Sequence, residues 1–168
     1  MARRKFRPGR VLETLVAHDV DFVLIGGLAG VARGSAYATY DVDLAYARDA
    51  ENLERLAAAL RELDATLRGA PADVPFLLDA ETIAKGAHFT FDTPFGGVDI
   101  LTDPDGAPPY ERLVAAAGDP APVEDVLIRV ASLDHLIAMK EASDRPKDRL
   151  MAAEYRTISD ELRAPRES

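Results

Sequence analysis

The strongest constraint on how this chain folds lies in residues 21–47, DFVLIGGLAGVARGSAYATYDVDLAYA. FVLI is an uninterrupted apolar run, shorter than a helix needs, and it stops at Gly26 and Gly27. LAGVAR then reads as a short helix opening at the glycine pair, and YDVDLAYA (40–47) reads as a second strand. Strand, helix and strand in so short a span commit this part of the chain to a sheet with helices packed on it.

The remaining segments fit that class. Pro8 and Gly9 precede VLETLVAHDV, where Val11, Leu12, Leu15 and Val16 fall at helical spacing. AENLERLAAALREL (50–63) is the clearest helix, with Leu53, Leu56, Leu60 and Leu63 along one face. ATLRG reads as a short strand, and residues 69–86, with Pro71, Pro75 and Gly86, as a loop holding one helical turn. HFTFDTPFGGVDIL gives two strand-like runs, 87–92 and 97–101, joined across Thr93-Pro94-Phe95-Gly96 as a hairpin. TDPDGAPP (102–109) is a turn-rich connection. VLIRVAS (126–132) reads as a last short strand leading into a helix. LDHLIAMKEAS and KDRLMAAEYRTISDEL read as two helices parted by Asp144-Arg145-Pro146, the proline opening the second. The expected class is α/β (α+β): a mixed sheet with flanking helices and a C-terminal helical hairpin from about residue 132.

A chain of 168 residues favours one domain and can bury a core without staples. It has no cysteine, which excludes disulfides and thiolate metal sites and fits a reducing cytoplasm. No segment reaches the roughly 18 apolar residues of a membrane span. MARRKFRPGR lacks the apolar stretch of a secretory signal. The net charge of −9 argues against nucleic-acid binding over the whole surface. Residues 1–10 nevertheless carry Arg3, Arg4, Lys5, Arg7 and Arg10 and no acid, and read as a basic, flexible tail before a single domain over 11–168. A second basic group, Lys140, Arg145, Lys147 and Arg149, is mixed with acids.

Chemistry is concentrated in three acids. Alternate side chains of a strand share a face, so Asp41 and Asp43 point the same way while Val42 and Leu44 enter the core. Like charges this close raise each other's pKa unless a cation or several donors lie between them. A divalent cation that prefers hard oxygen ligands, Mg2+ or Mn2+, relieves that cost; a solvent-facing pair at a strand end is the plainer alternative. Asp99 shifts the balance, because it sits between Val98 and Ile100 in another apolar run, where an acid needs a reason. If the two strands are neighbours, three carboxylates converge. That set suits a pair of cations for in-line phosphoryl transfer, with Asp99 also placed to deprotonate an attacking hydroxyl. Gly26 and Gly27 let backbone N–H groups approach a phosphate at the start of the short helix. No GxxxxGK[ST] motif occurs, so this is not a Walker loop.

The order strand, Gly-Gly, short helix, Asp-Val-Asp strand and later lone Asp strand resembles the nucleotidyltransferase superfamily with the polymerase-β-like core. Its signature of an apolar residue, two glycines and then Asp-apolar-Asp is matched by Ile25-Gly26-Gly27 and Asp41-Val42-Asp43. The likeness spans roughly residues 11 to 160. It is nearest to the small bacterial branch that includes AbiE-type abortive-infection toxins, whose GGxAxxxHGxxRxTxDIDL motif is matched by GGLAGVARGSAYATYDVDL. That branch's later lysine and R-x-K-D step are matched by Lys140 and by Arg145-Pro146-Lys147-Asp148. Arg33 stands where His is usual and Tyr37 where a base is usual.

The resemblance implies the mixed twisted sheet of that fold and transfer of a nucleoside monophosphate from a nucleoside triphosphate to an acceptor, with release of pyrophosphate. Asp41, Asp43 and Asp99 would hold Mg2+ or Mn2+. Gly26, Gly27, Ser35 and Lys140 would hold the triphosphate. The acceptor is open among a tRNA 3′ end, a protein side chain and a small molecule such as an aminoglycoside, and a cognate antitoxin is an implied partner. A non-catalytic module of the same fold and a hydrolase using the same metal pair are the rival readings.

Other residues have plainer expected roles. Lys140 competes with a snorkelling surface lysine, Ser35 and Thr39 with loop capping, and Lys147 and Asp148 with surface pairing. His18, His88 and His135 lack metal spacing and read as structural. Tyr40, Phe89 and Phe91 read as core.

Overall fold

The computed structural model describes residues 5–166. Helix α1 (Pro8–Ala17) opens on a proline in its first turn and buries Val11, Leu12 and Leu15. Strand β1 (Phe22–Ile25) is buried along its whole length and runs into α2 (Gly26–Ala32). Strand β2 (Asp41–Tyr46) follows, then α3 (Ala50–Glu62), which Asp49 caps by accepting from the Asn52 N–H. Strand β3 (Thr66–Leu67), helix α4 (Ala80–Lys85) and the hairpin β4 (His88–Thr93) and β5 (Gly96–Leu101) come next. Helix α5 (Tyr110–Ala117), the small hairpin β6 (Ala121–Val123) and β7 (Val126–Ile128), and helices α6 (Leu133–Ser143) and α7 (Pro146–Arg163) complete the chain.

The five-stranded sheet has the order β1-β2-β5-β4-β3. Only β2 and β5 pair in parallel; the other neighbours are antiparallel. This is the expected mixed sheet with flanking helices. Beyond β1 the segment after β7 adds a parallel bridge, Leu24 to Val130, with the Leu24 N–H donating to the Arg129 carbonyl at 2.9 Å. The strand expected over 126–132 therefore splits, half into a hairpin and half against the sheet edge. The core gathers Leu12, Leu15, Leu24, Leu44, Leu56, Leu60, Phe91 and Ile100 between sheet and helices.

Three segments differ from the sequence reading. Part of the expected tail over 1–10 is built into the fold. Helix α1 takes in Pro8, the Arg7 N–H donates to the Phe95 carbonyl at 2.8 Å, and Phe6 packs against the core. An aromatic ring with somewhere to bury itself ties the arm down; Arg3 and Arg4 lie outside the described residues. Helix α5 stands immediately behind Pro108 and Pro109, whose turn-forming character hid it. The β6–β7 hairpin turns on Glu124 and Asp125, both at positive φ (50° and 68°). That geometry is usually announced by Asn-Gly, so no signal was visible. Among the described residues no helix is long and apolar enough to cross a membrane.

Candidate active site

The parallel register of β2 and β5 sets Asp43 directly beside Asp99 and Asp41 beside Gly97. Paired residues of neighbouring strands share a face, so all three carboxylates rise from one side of the sheet. Val42, Leu44, Val98 and Ile100, all fully buried, fill the other side and fix that orientation.

Asp43 also pairs with Ile25, the last residue of β1, so the α2 glycines open against it. Gly26 has φ +71°, and a Cβ there would stand 2.0 Å from Asp43 Oδ2. Only glycine satisfies both conditions. Gly27 faces Thr39, whose Cβ and Oγ1 would lie 3.0 Å from an added Cβ. The first glycine thus makes room for the carboxylate, and the second for Thr39 in the loop that leads into β2.

Burial pushes the Asp43 carboxyl up to about 7; the charge of Asp99 and a hydrogen bond shared with it add to the rise, Asp41 adds less, and Lys140 opposes. Oδ1 of Asp43 and Oδ1 of Asp99 are buried without hydrogen-bond partners. Two adjacent, orphaned carboxylate oxygens fit a hard divalent cation, which would supply the missing partner and remove the repulsion.

The expected three-acid cage is not closed, however. Among the described residues no three Asp, Glu or His side chains are gathered closely enough to hold an ion. Asp41 Oδ1 instead accepts from Arg68 Nη2 at 3.3 Å, and Arg68 Nε donates to Asp92 Oδ1 at 2.9 Å.

Helices α6 and α7 form the opposite wall. Lys140 of α6 lies 3.4 Å from Asp148 Oδ1, and Arg145 Nε donates to Asp148 Oδ2 at 2.8 Å. Asp148, expected in a surface pair, is only 2% exposed. Burial would raise its pKa, but the Arg145 hydrogen bond and the charges of Lys140 and Arg145 outweigh that and hold it below the usual carboxylate range. Asp148 thus fixes two cations at the rim of the acid pair.

Two recesses meet at Asp43, Asp99, Lys140 and Arg145. One, of about 430 Å³, extends past Gly27, Thr39, Tyr40 and Lys147. The other, of about 320 Å³, extends past His88, Leu101, Asp105, Leu136 and Met139.

Several residues depart from their expected places. Ser35 does not line either recess. It is 8% exposed, its hydroxyl donates to Glu154 of α7, and it accepts from the Tyr37 N–H at 3.1 Å, so it pins the loop before β2 to the C-terminal helix. Arg33 is structural: its guanidinium donates to the carbonyls of Val130 (2.6 Å), Ala131 (3.1 Å) and Ala117 (3.2 Å). Burial lowers the Arg33 pKa from its usual value. Tyr37 is partly buried against the core.

Phe91 is buried, as expected, but Tyr40 is 64% exposed at the lip of the larger recess, with its ring edge-on to Phe6 at 6.3 Å. His88, read as structural, lines the smaller recess. Its place is set by the hairpin register that pairs it with Leu101 and pairs Thr90 with Asp99. His88 was legible only once that register was known. Arg68 and Asp105 carried no recognisable signal.

No protein-family model matches the chain, and no curated protein matches it. Solved structures do. The lincosamide antibiotic adenylyltransferase LnuA, in a lincomycin-bound crystal structure, superposes with a TM-score of 0.61 at 14% identity over 93% of this chain and 99% of that one. ANT(2″)-Ia, in complex with adenylyl-2″-tobramycin, gives a TM-score of 0.55 at 17% identity over 91% of this chain and 86% of that one. The solution structure of ANT(2″)-Ia gives 0.53, again at 17% identity. With the acids on β2 and β5 and the glycine pair at the end of β1, the chain has the nucleotidyltransferase fold.

Proposed function

We propose that the protein is a divalent-cation-dependent nucleotidyltransferase. It takes a nucleoside triphosphate, transfers the nucleoside monophosphate to an acceptor hydroxyl and releases pyrophosphate. The observation that carries this reading is the side-by-side pair Asp43 and Asp99, with orphaned buried oxygens facing fixed cations across a cleft. Asp43, Asp99 and Asp41 are the residues that would hold Mg2+ or Mn2+, which neutralises triphosphate charge and aligns the reacting groups when bound. Lys140, with Arg145 and Lys147 beside it, offers positive charge to the phosphates, and the bare backbone at Gly27 leaves them room to approach. Asp99 is placed to take the acceptor proton. The acceptor oxygen bonds the α phosphorus as the bond from that phosphorus to the α–β bridging oxygen breaks, and the bridging oxygen leaves with pyrophosphate.

Lys140 and Arg145 border both recesses, and Lys147 and Tyr40, which line only the larger one, favour it for the nucleotide. The smaller one, with Leu101, Leu136 and Met139 as its apolar floor and Asp105 at its edge, then receives the acceptor. That lining suits a small neutral or cationic hydroxyl compound, and the similar folds that hold lincomycin and adenylyl-2″-tobramycin support this choice. RNA is the second reading, carried by the basic run from Arg3 to Arg10. Arg10 of that run is stacked over the Phe95 ring at 5.4 Å. A toxin acting on tRNA and restrained by an antitoxin belongs to this second reading.

Transfer of label from α-labelled nucleoside triphosphates with Mg2+ tests both. A panel of aminoglycosides and lincosamides, total RNA, protein and a blank separates the acceptors. Labelled small-molecule product is the expected result. Labelled RNA would replace the acceptor reading, and no pyrophosphate release with any acceptor would defeat the enzyme reading.

A further inference from the structure

Asp41 is the one acid of the three that already holds a cation, and that cation is a side chain of the protein itself. We propose that Arg68 is a latch on Asp41. It holds the carboxylate away from the Asp43–Asp99 pair and so sets how tightly the site takes a divalent cation before any triphosphate arrives. The inference rests on the cation reading of the acid pair given above.

Register puts Asp41 on the same sheet face as Asp43 and Asp99, two residues back along β2. A third ligand is therefore available, yet no three-acid group forms among the described residues. What separates Asp41 from the others is the hydrogen bond of its Oδ1 to Arg68.

Arg68 is fixed from two sides. Its N–H donates to the Thr90 carbonyl at 2.9 Å, extending the β3–β4 ladder, and its Nε donates to Asp92 on β4 at 2.9 Å. The remaining arm of the guanidinium fork then points at Asp41 with little freedom to do otherwise.

Strand β5 is shaped around this contact. A Cβ on Gly97 would stand 2.1 Å from Asp41 Oδ1 and 2.2 Å from Arg68 Nη2. The ion pair occupies the volume that any other residue at position 97 would fill. Glycine at this place in the middle strand, where it otherwise weakens a strand, leaves the pair free to form without moving either side chain.

The latch is weak enough to open. Both side chains are about two-fifths exposed (40% and 44%), and ion pairs of that kind shift an equilibrium by at most about fivefold. A divalent cation brought in by a triphosphate outcompetes it readily, whereas a free cation must displace Arg68 unaided. Arg68 is thus a positioning residue acting through Asp41.

The test uses the full chain and Mn2+ alone, with free Mn2+ counted by electron paramagnetic resonance and no nucleotide present. Arg68→Gln is expected to tighten Mn2+ binding by up to about fivefold. Asp41→Asn is expected to erase that gain in the double variant, because the released carboxylate is then missing. Equal or weaker binding by Arg68→Gln overturns the latch. A gain that survives in the Asp41→Asn background also overturns it, since only the charge of Arg68 would then matter. Asp43→Asn serves as a separate control. Mn2+ binding lost in that variant supports the cation site whatever Arg68 does, and no Asp43-dependent binding in any variant defeats the site and the latch together.

Discussion

Replacing Asp43 with asparagine is expected to stabilise the metal-free protein, and to do so only above acidic pH. In the folded chain the Asp43 carboxyl titrates at about 7, for reasons of burial first and of Asp99 second. In the unfolded chain it titrates near the ordinary value of about 3.9. Between those two pH values the folded state keeps a proton that the unfolded state has lost. Stability from this group is therefore full below about pH 4 and falls as pH rises through the window, levelling off above about pH 7. A tenfold difference in proton affinity is worth about 1.4 kcal/mol, so the complete loss is about 4 kcal/mol at most. The carboxamide of Asp43→Asn has no charge to expose and removes the loss. Urea unfolding in EDTA at pH 4.5, 6 and 7.5 reads the effect as the difference between the two proteins, in which most other carboxylates cancel. The variant should exceed the wild type by only about 1 kcal/mol at pH 4.5 and by about 2–4 kcal/mol at pH 7.5. Millimolar Mn2+ should restore the wild type and leave the variant unchanged. A difference that is flat with pH would refute the argument that burial and Asp99 hold this proton on.

Other perturbations follow from the same geometry. Gly26→Ala forces a Cβ into Asp43 at a positive φ and should cost about 2 kcal/mol or more in urea unfolding, with loss of Mn2+ binding. Arg33→Ala leaves three carbonyls without their donor and should cost about 2–4 kcal/mol, visible as a lower Tm, while Mn2+ affinity stays within twofold of wild type. Tyr40→Ala should weaken nucleoside triphosphate binding by about tenfold in titration calorimetry, since stacking a base on an aromatic ring is worth about 1–3 kcal/mol. Inorganic tripolyphosphate, which has no base to stack, should bind the variant and the wild type alike.

How much of this was readable from the chain follows from the range of the interactions involved. Helical period is local, so α6 was readable as LDHLIAMKEAS, the full extent of Leu133–Ser143, while Ser132, read as the end of a strand, turns out to cap it. The alternation Asp41-Val42-Asp43 gave the shared face, and the apolar neighbours of Asp99 marked it as an acid in need of a partner. Partnerships across the sheet were not readable. That Asp41 meets Arg68 depends on the β3–β4 ladder and on β5 lying between β4 and β2, which local pattern does not encode. Arg33 reaches carbonyls close to a hundred residues away. Tyr40 was misplaced because it stands one residue before β2, where alternation no longer decides which side is buried.

The C-terminal helices are better understood as part of the site than as an annex to the sheet. Three contacts link α7 to the loop that leads into β2, to the glycine-led helix α2 and to the cations of the cleft. Glu154 accepts from the Ser35 hydroxyl and from the Ala36 N–H at 3.0 Å, which anchors the loop leading into β2. Tyr155, fully buried, presses its ring end on Gly30 of α2, where a Cβ would come within 2.2 Å of the hydroxyl oxygen. Asp148 holds Lys140 and Arg145 at the cleft. The first two contacts hold α7 against α2 and against the loop that leads into β2, and the third hangs both cations from α7. Cations fixed in this way are already oriented before any phosphate arrives, so less ordering remains to be done on binding. Positioning of charge is also most of what phosphoryl transfer asks of a protein. Ser35 therefore matters to the cleft without touching a ligand. Its hydroxyl holds the α7 wall, and with it the Asp148 pairings, in place opposite Asp43 and Asp99.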